Sequence, residues 1–152
     1  MNASAAMTQI AFHFNAPDKL HYACRVARKA QRQGQRLVIT GPAATLAVLD
    51  EMLWNLTPQD FIAHCNTSAS PELLQASPVL LTPDARHTTP THRQVLLHVG
   101  DTLPVGFEQF ERLIEVVSTD EHDRQQARVR WRSYQQQGHS IVRHDLAAQG
   151  ND

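Results

Sequence analysis

No apolar run in this chain approaches the roughly 20 residues needed to cross a bilayer. Its opening stretch, "MNASAAMTQIAFHF", has neither the charged segment nor the long apolar segment of a secretory leader. Together these absences predict a cytoplasmic protein with no membrane partner. Cysteine is nearly absent, and Cys24 and Cys65, in helix-like and loop-like runs respectively, read as free thiols rather than as a disulfide framework. Phosphate-cradling glycine motifs are missing too. The turns "FNAPDK" and "TGPAAT" match neither G-x-G-x-x-G nor G-x-x-x-x-G-K-[ST], and Pro42 removes a backbone donor where such a cradle needs one. A nucleotide enzyme is therefore not expected.

What is present is ordinary for a folded domain: 41% hydrophobic and 19% charged residues over 152 positions. We expect residues 7–147 to form a single α/β domain, with residues 1–6 a disordered lead or overcalled start and 148–152 a disordered tail. "TQIAFHF" reads as a strand feeding a turn, and "LHYACRVARKAQRQ" as an amphipathic helix closed by Gly34. "RLVIT", Phe61-Ile62, residues 78–82 and "QVLLHV" read as further strands, and "AATLAVLDEMLW" as a second helix. Between them, residues 66–77 read as a Ser/Pro/Asn loop and "DARHTTPTHR" as a mobile surface loop. Residues 107–110 suggest a short helix and 114–117 a strand. A last helix should run from an Asp120 N-cap to Gln137 with Gly138 beyond it, followed by a short strand in "HSIVRHDL". Strands alternating with helices predict a three-layer, Rossmann-like α/β fold: a mostly parallel sheet flanked by helices, without a nucleotide site.

The search for catalytic chemistry yields no site. Nine histidines invite a metal reading, but His87 and His92 are the nearest approach to a ligand pair, and they share a polar loop without a cysteine. Most histidines read as surface or capping residues. Cys65 beside His64 lacks an orienting third group for a thiolate nucleophile, and Asp50-Glu51 reads as the solvent face of its helix. No catalytic, cofactor-binding or metal-binding residue is assigned.

One stretch departs from the average. "RQQARVRWRSYQQQGHSIVRH" (residues 124–144) holds five arginines and no Asp or Glu, in a chain of net charge -1. On a helix, Arg124, Arg128, Trp131 and Arg132 share one face. Three readings compete: a solvated helix surface, a single-stranded nucleic-acid site using charge and stacking, and a site for an acidic peptide with one hydrophobic anchor.

The segments "LDEMLWNLTPQDFIAH", "RQVLLHVGDTLP" and "FERLIEVVSTDEHDRQQARVRWRSYQQQGHSI" resemble the chi subunit of bacterial DNA polymerase III, an accessory protein of the clamp-loader complex. The resemblance extends over nearly the whole chain from Met7. It rests on the L-D-x-x-L-W helix end, the following F-I-x-H, and the pattern from E-V-V to A-R-x-R-[WY]-[KR]-x-Y-x-x-x-G. It implies a non-enzymatic adaptor in DNA replication, with a Rossmann-like fold that no longer holds a nucleotide and no cofactor. One surface of that family takes the acidic C-terminal tail of single-stranded DNA-binding protein, which ends in a phenylalanine with its free carboxylate, so that DNA is reached only indirectly. By resemblance, Val117, Arg124, Arg128, Trp131 and Arg132 form that surface: Arg128 for the terminal carboxylate, Val117 and Trp131 for the phenyl ring, Arg124 and Arg132 for upstream aspartates. A second surface binds the psi subunit, for which Trp54 and Phe61 are the candidates. Trp131 and Arg132 stand where the family usually shows Tyr and Lys, His139 stands where an apolar residue is common, and residues 66–77 depart from the pattern.

Overall fold

The computed structural model describes residues 7–56, 62–88 and 91–148. The elements, in chain order, are β1 (Gln9–Ala16), α1 (Lys19–Arg32), β2 (Leu37–Thr40), α2 (Ala43–Trp54), β3 (His64–Asn66), α3 (Pro71–Ala76), β4 (Val79–Thr82) and β5 (Val95–His98). A 3-10 turn (Phe107–Gln109), β6 (Arg112–Ser118), α4 (Glu121–Gln136) and β7 (Ile141–Asp145) follow. The strands form one seven-stranded sheet in the order β3-β4-β2-β5-β6-β1-β7, and every pairing is parallel.

Chain direction decides which helix lies on which face. The connections β1 to β2 and β2 to β3 step toward the β3 edge, whereas β3 to β4 and β6 to β7 step the opposite way. Right-handed crossovers then send the two groups of helices to opposite faces. Accordingly Ala23, Cys24 and Ala27 of α1 and Leu46, Leu49 and Leu53 of α2 pack with Leu37, Ile39, Leu97 and Val116 in one cluster. Ala127 and Tyr134 of α4, with Leu74 of α3, pack with Ile10, Phe12, Val38, Leu96 and Leu113 in the other. The central strands, covered on both sides, are buried throughout as LVIT, VLLT and VLLH, which is why they read as continuous apolar runs. Edge strand β7 is half-buried or exposed throughout.

Local signals explain the helix ends. Asp120 accepts from the Asp123 amide at 3.1 Å, and α4 stops at Gly138, whose φ of 90° suits a residue without Cβ while the His139 amide closes back on the Tyr134 carbonyl at 3.1 Å. Several expectations are corrected. Residues 66–77 are not all loop: Ser70 caps a short helix with Pro71 in its first turn. The strand expected at Phe61-Ile62 lies instead at His64–Asn66, which puts Cys65 in a strand. Phe61, the lead at 1–6 and residues 149–152 of the expected tail lie outside the described residues.

Histidines are also more internal than expected. His64, His92 and His98 are buried. His64 Nε2 sits 3.0 Å from Asp50, which is therefore not a purely solvent-facing carboxylate. His92 Nε2 lies 2.7 Å from the Ser77 carbonyl, so it turns away from the exposed His87.

Candidate functional site

Helix α4 distributes its charges by position and by face. Its carboxylates, Glu121 and Asp123, lie in the first turn, where the free backbone N–H groups favour negative charge. Asp123 accepts from the Ser118 amide at 2.8 Å and from the Lys19 ammonium at 2.9 Å, fixing the start of α4 to the ends of β6 and α1. Burial alone would raise its carboxyl; the Ser118 amide and Lys19 outweigh that and hold it below the usual carboxylate range.

Beyond that turn, the face toward the sheet carries Ala127, Arg130 and Tyr134 at helical spacing, all buried. Arg130 enters a network that sequence reasoning missed. Its Nη1 donates to the Asp101 carbonyl at 2.8 Å, and its Nε lies 3.1 Å from Glu115 Oε1, close enough for an ion pair though without hydrogen-bond geometry. His98 Nδ1 donates to the same oxygen at 2.7 Å, and the Tyr134 hydroxyl donates to Glu115 Oε2. Burial pushes the Glu115 carboxyl up, but His98, Arg130 and Tyr134 together prevail and hold it below its ordinary range. The Tyr134 hydroxyl is pushed far up, by burial first and by the Glu115 charge second. The signal for this network was a lone Glu inside the apolar run LIEVV, opposite a strand ending in His.

The other face of α4 borders a cavity of about 510 Å³. All five residues expected there, Val117, Arg124, Arg128, Trp131 and Arg132, line it. Val117 is buried in its floor, Trp131 is half-buried, and the three arginines are exposed. The cavity exists because α4 covers β6 and β1 but leaves the sheet open toward β7 on that side. Its remaining walls come from residues that were not singled out: Phe12 and Phe14 of β1, and Arg143 of β7. Trp131 and Phe12 meet with ring centroids 5.0 Å apart, and the Arg143 guanidinium lies 5.3 Å from the Phe14 centroid and 6.0 Å from that of Trp131. An irregularity in β1 between His13 and Ala16 turns Asn15, at φ 65°, toward the same cavity, where its amide donates to Asp145 at 2.8 Å.

The result is an apolar floor with four arginines around it and no lining carboxylate among the described residues. The stripe is not wholly unpaired: Arg128 Nη1 lies 3.4 Å from Glu121, with both side chains more than half exposed. Such a contact contributes little and yields readily to a competing carboxylate. Trp54, on the opposite side of the sheet at the end of α2, is 57% exposed, its ring centroid 4.9 Å from that of His64. Cys24 and Cys65 are both free and buried. Among the described residues no three metal-ligating side chains gather, and no helix is long and apolar enough to cross a membrane.

Comparison with known proteins adds an independent finding. The family model described as DNA polymerase III chi subunit, HolC, matches residues 7–142. The Pseudomonas aeruginosa protein named DNA polymerase III subunit chi is 31% identical over 129 residues, covering 84% of this chain and 87% of its own. The Haemophilus influenzae protein of the same name is 26% identical over 121 residues, covering 78% of this chain and 81% of its own.

Proposed function

This chain belongs to the DNA polymerase III chi subunit family of DNA replication, and from that premise we propose that it acts as a non-catalytic adaptor binding the acidic C-terminal tail of single-stranded DNA-binding protein. One observation carries the reading. Four arginines surround an apolar floor in a cavity that offers no lining carboxylate of its own among the described residues. An occupant must supply negative charge and one apolar group, which is what an acidic peptide ending in phenylalanine brings. Arg128 takes the terminal carboxylate, Val117 and Trp131 hold the phenyl ring, and Arg124 and Arg132 meet upstream aspartates. The through-partner link to a clamp loader runs by a second surface, at Trp54, where psi docks on an exposed aromatic.

Direct binding of single-stranded nucleic acid is the competing reading. Against it, the Trp131 ring is already engaged by Phe12 and Arg143 rather than presented as a stacking platform. The test is a fluorescence-polarisation titration of a labelled peptide ending in Asp-Asp-Ile-Pro-Phe against the wild-type chain and Arg128→Ala. One buried phenyl contributes about 1.5–3 kcal/mol and exposed charge contacts add modestly, so the expected affinity is micromolar and weakens with salt. Saturable binding lost in the variant supports the adaptor reading. Failure to bind the peptide at low salt, with tight binding of an unstructured oligonucleotide, would replace it with the nucleic-acid reading.

A further inference from the structure

The arginines expected at the cavity all come from α4, yet the geometry points to a fourth ligand residue on the opposite wall. Resting on the acidic-tail reading above, we infer that Arg143 binds an aspartate side chain of the incoming peptide, so that the peptide crosses the cavity between α4 and β7 with carboxylates gripped on both sides.

Three observations support this. Arg143 projects from edge strand β7, which among the described residues pairs with β1, in register with Phe12, whose neighbour two residues on is Phe14. Side chains alternate along a strand, so Phe12 and Phe14 share a face, and that face carries the cavity floor. The guanidinium then lies within cation–π distance of two rings from different elements, Phe14 and Trp131. Contact with two rings restricts the long side chain before any ligand arrives, while the exposed N–H groups remain available to a carboxylate. Finally, Arg143 sits across from Arg124, Arg128 and Arg132 rather than beside them. A peptide anchored by its terminal carboxylate to α4 alone would meet charge along one side; Arg143 adds a second contact line and with it a preference for at least two acidic side chains.

The experiment is a double-mutant cycle by fluorescence polarisation. The chains are wild type, Arg143→Ala and Arg143→Gln; the peptides are the acidic one ending in Asp-Asp-Ile-Pro-Phe and the same peptide with both aspartates replaced by asparagine. We expect both variants to bind the acidic peptide about fivefold more weakly than wild type and the asparagine peptide equally well, with unchanged thermal melts. Equal binding of the acidic peptide by wild type and both variants overturns the role of Arg143 and leaves the adaptor reading intact. A loss in Arg143→Ala that persists on the asparagine peptide, or that Arg143→Gln restores, shows packing against Trp131 rather than charge and overturns it also. If wild type fails to bind the acidic peptide, the adaptor reading falls and this inference falls with it.

Discussion

Arg128 and Arg130 stand two residues apart on one helix and occupy opposite surroundings. Arg130 is buried, with its Nε 3.1 Å from Glu115 of β6 and its Nη1 donating to the Asp101 carbonyl, while His98 and Tyr134 hold the same Glu115 carboxylate. Arg128 is 52% exposed, its guanidinium 3.4 Å from Glu121 two turns away. One residue type thus serves two ends, separated by a rotation of about 200° around the helix axis. Where the fold places a carboxylate opposite the guanidinium, removing either partner strands a charge in the interior. Where it does not, the guanidinium costs the fold little and waits for a ligand. Stability and recognition are therefore divided by face, and each can be perturbed without the other.

The largest effect should come from the buried side. Arg130→Ala leaves Glu115 uncompensated and is expected to cost about 3–5 kcal/mol in urea denaturation. A cost below about 1 kcal/mol would mean the network carries no structural load.

Acid should act next, in two windows. His13 is lowered from 6.5 to about 4, by burial first and by the nearby His144, Arg112 and Lys29 charges after it. Its contribution is full above pH 6.5 and is lost as pH falls toward about 4, because the unfolded chain takes up the proton first; allowing for partial exposure this is about 2 kcal/mol. Glu115, held below its usual value, contributes stability that is full above pH 4.5 and fades only below it. Thermal melts from pH 7 to 3 should therefore decline in both ranges, with His13→Phe flattening the upper one and Glu115→Gln the lower.

On the open side, Arg128→Ala should weaken the acidic peptide by about tenfold or more while shifting the unfolding free energy by under about 0.5 kcal/mol. A matching loss of stability would collapse the division between faces. The smallest effect has the opposite sign. Glu121→Gln removes the contact that competes for Arg128 and should tighten peptide binding by up to about twofold, measured in the same titration.

Much of this was legible in the letters. The apolar words LVIT, VLLT and VLLH gave three central strands, Asp120 and Gly138 bounded α4, and the spacing of Arg124, Arg128, Trp131 and Arg132 placed all four on one cavity. What escaped was tertiary. Helix α3 hid because a proline and a serine read as loop when they are in fact its first turn and cap. Strand β3 hid because its word, HCN, is polar, and His64 is buried with its two ring nitrogens met by the Ile62 carbonyl and Asp50 of α2. Arg130 was counted among five arginines but given no role, though its spacing to Ala127 and Tyr134 marks the inward face. Phe14 and Arg143 are separated by most of the chain and become neighbours only through the parallel pairing of β1 with β7.

That pairing also gives the cavity two walls of unequal permanence. Helix α4 is moored through Asp123 and Arg130 to three other parts of the chain, whereas β7 is the sheet's edge strand, paired with β1 and with little of its surface covered. Local opening starts where few buried contacts resist it, so amide protons along β7 should exchange with solvent well before those in the middle of α4. A ligand that bridges the two walls would draw the looser one into the lifetime of the firmer, and its arrival would be registered as slowed exchange in β7, remote from the arginines that first attract it.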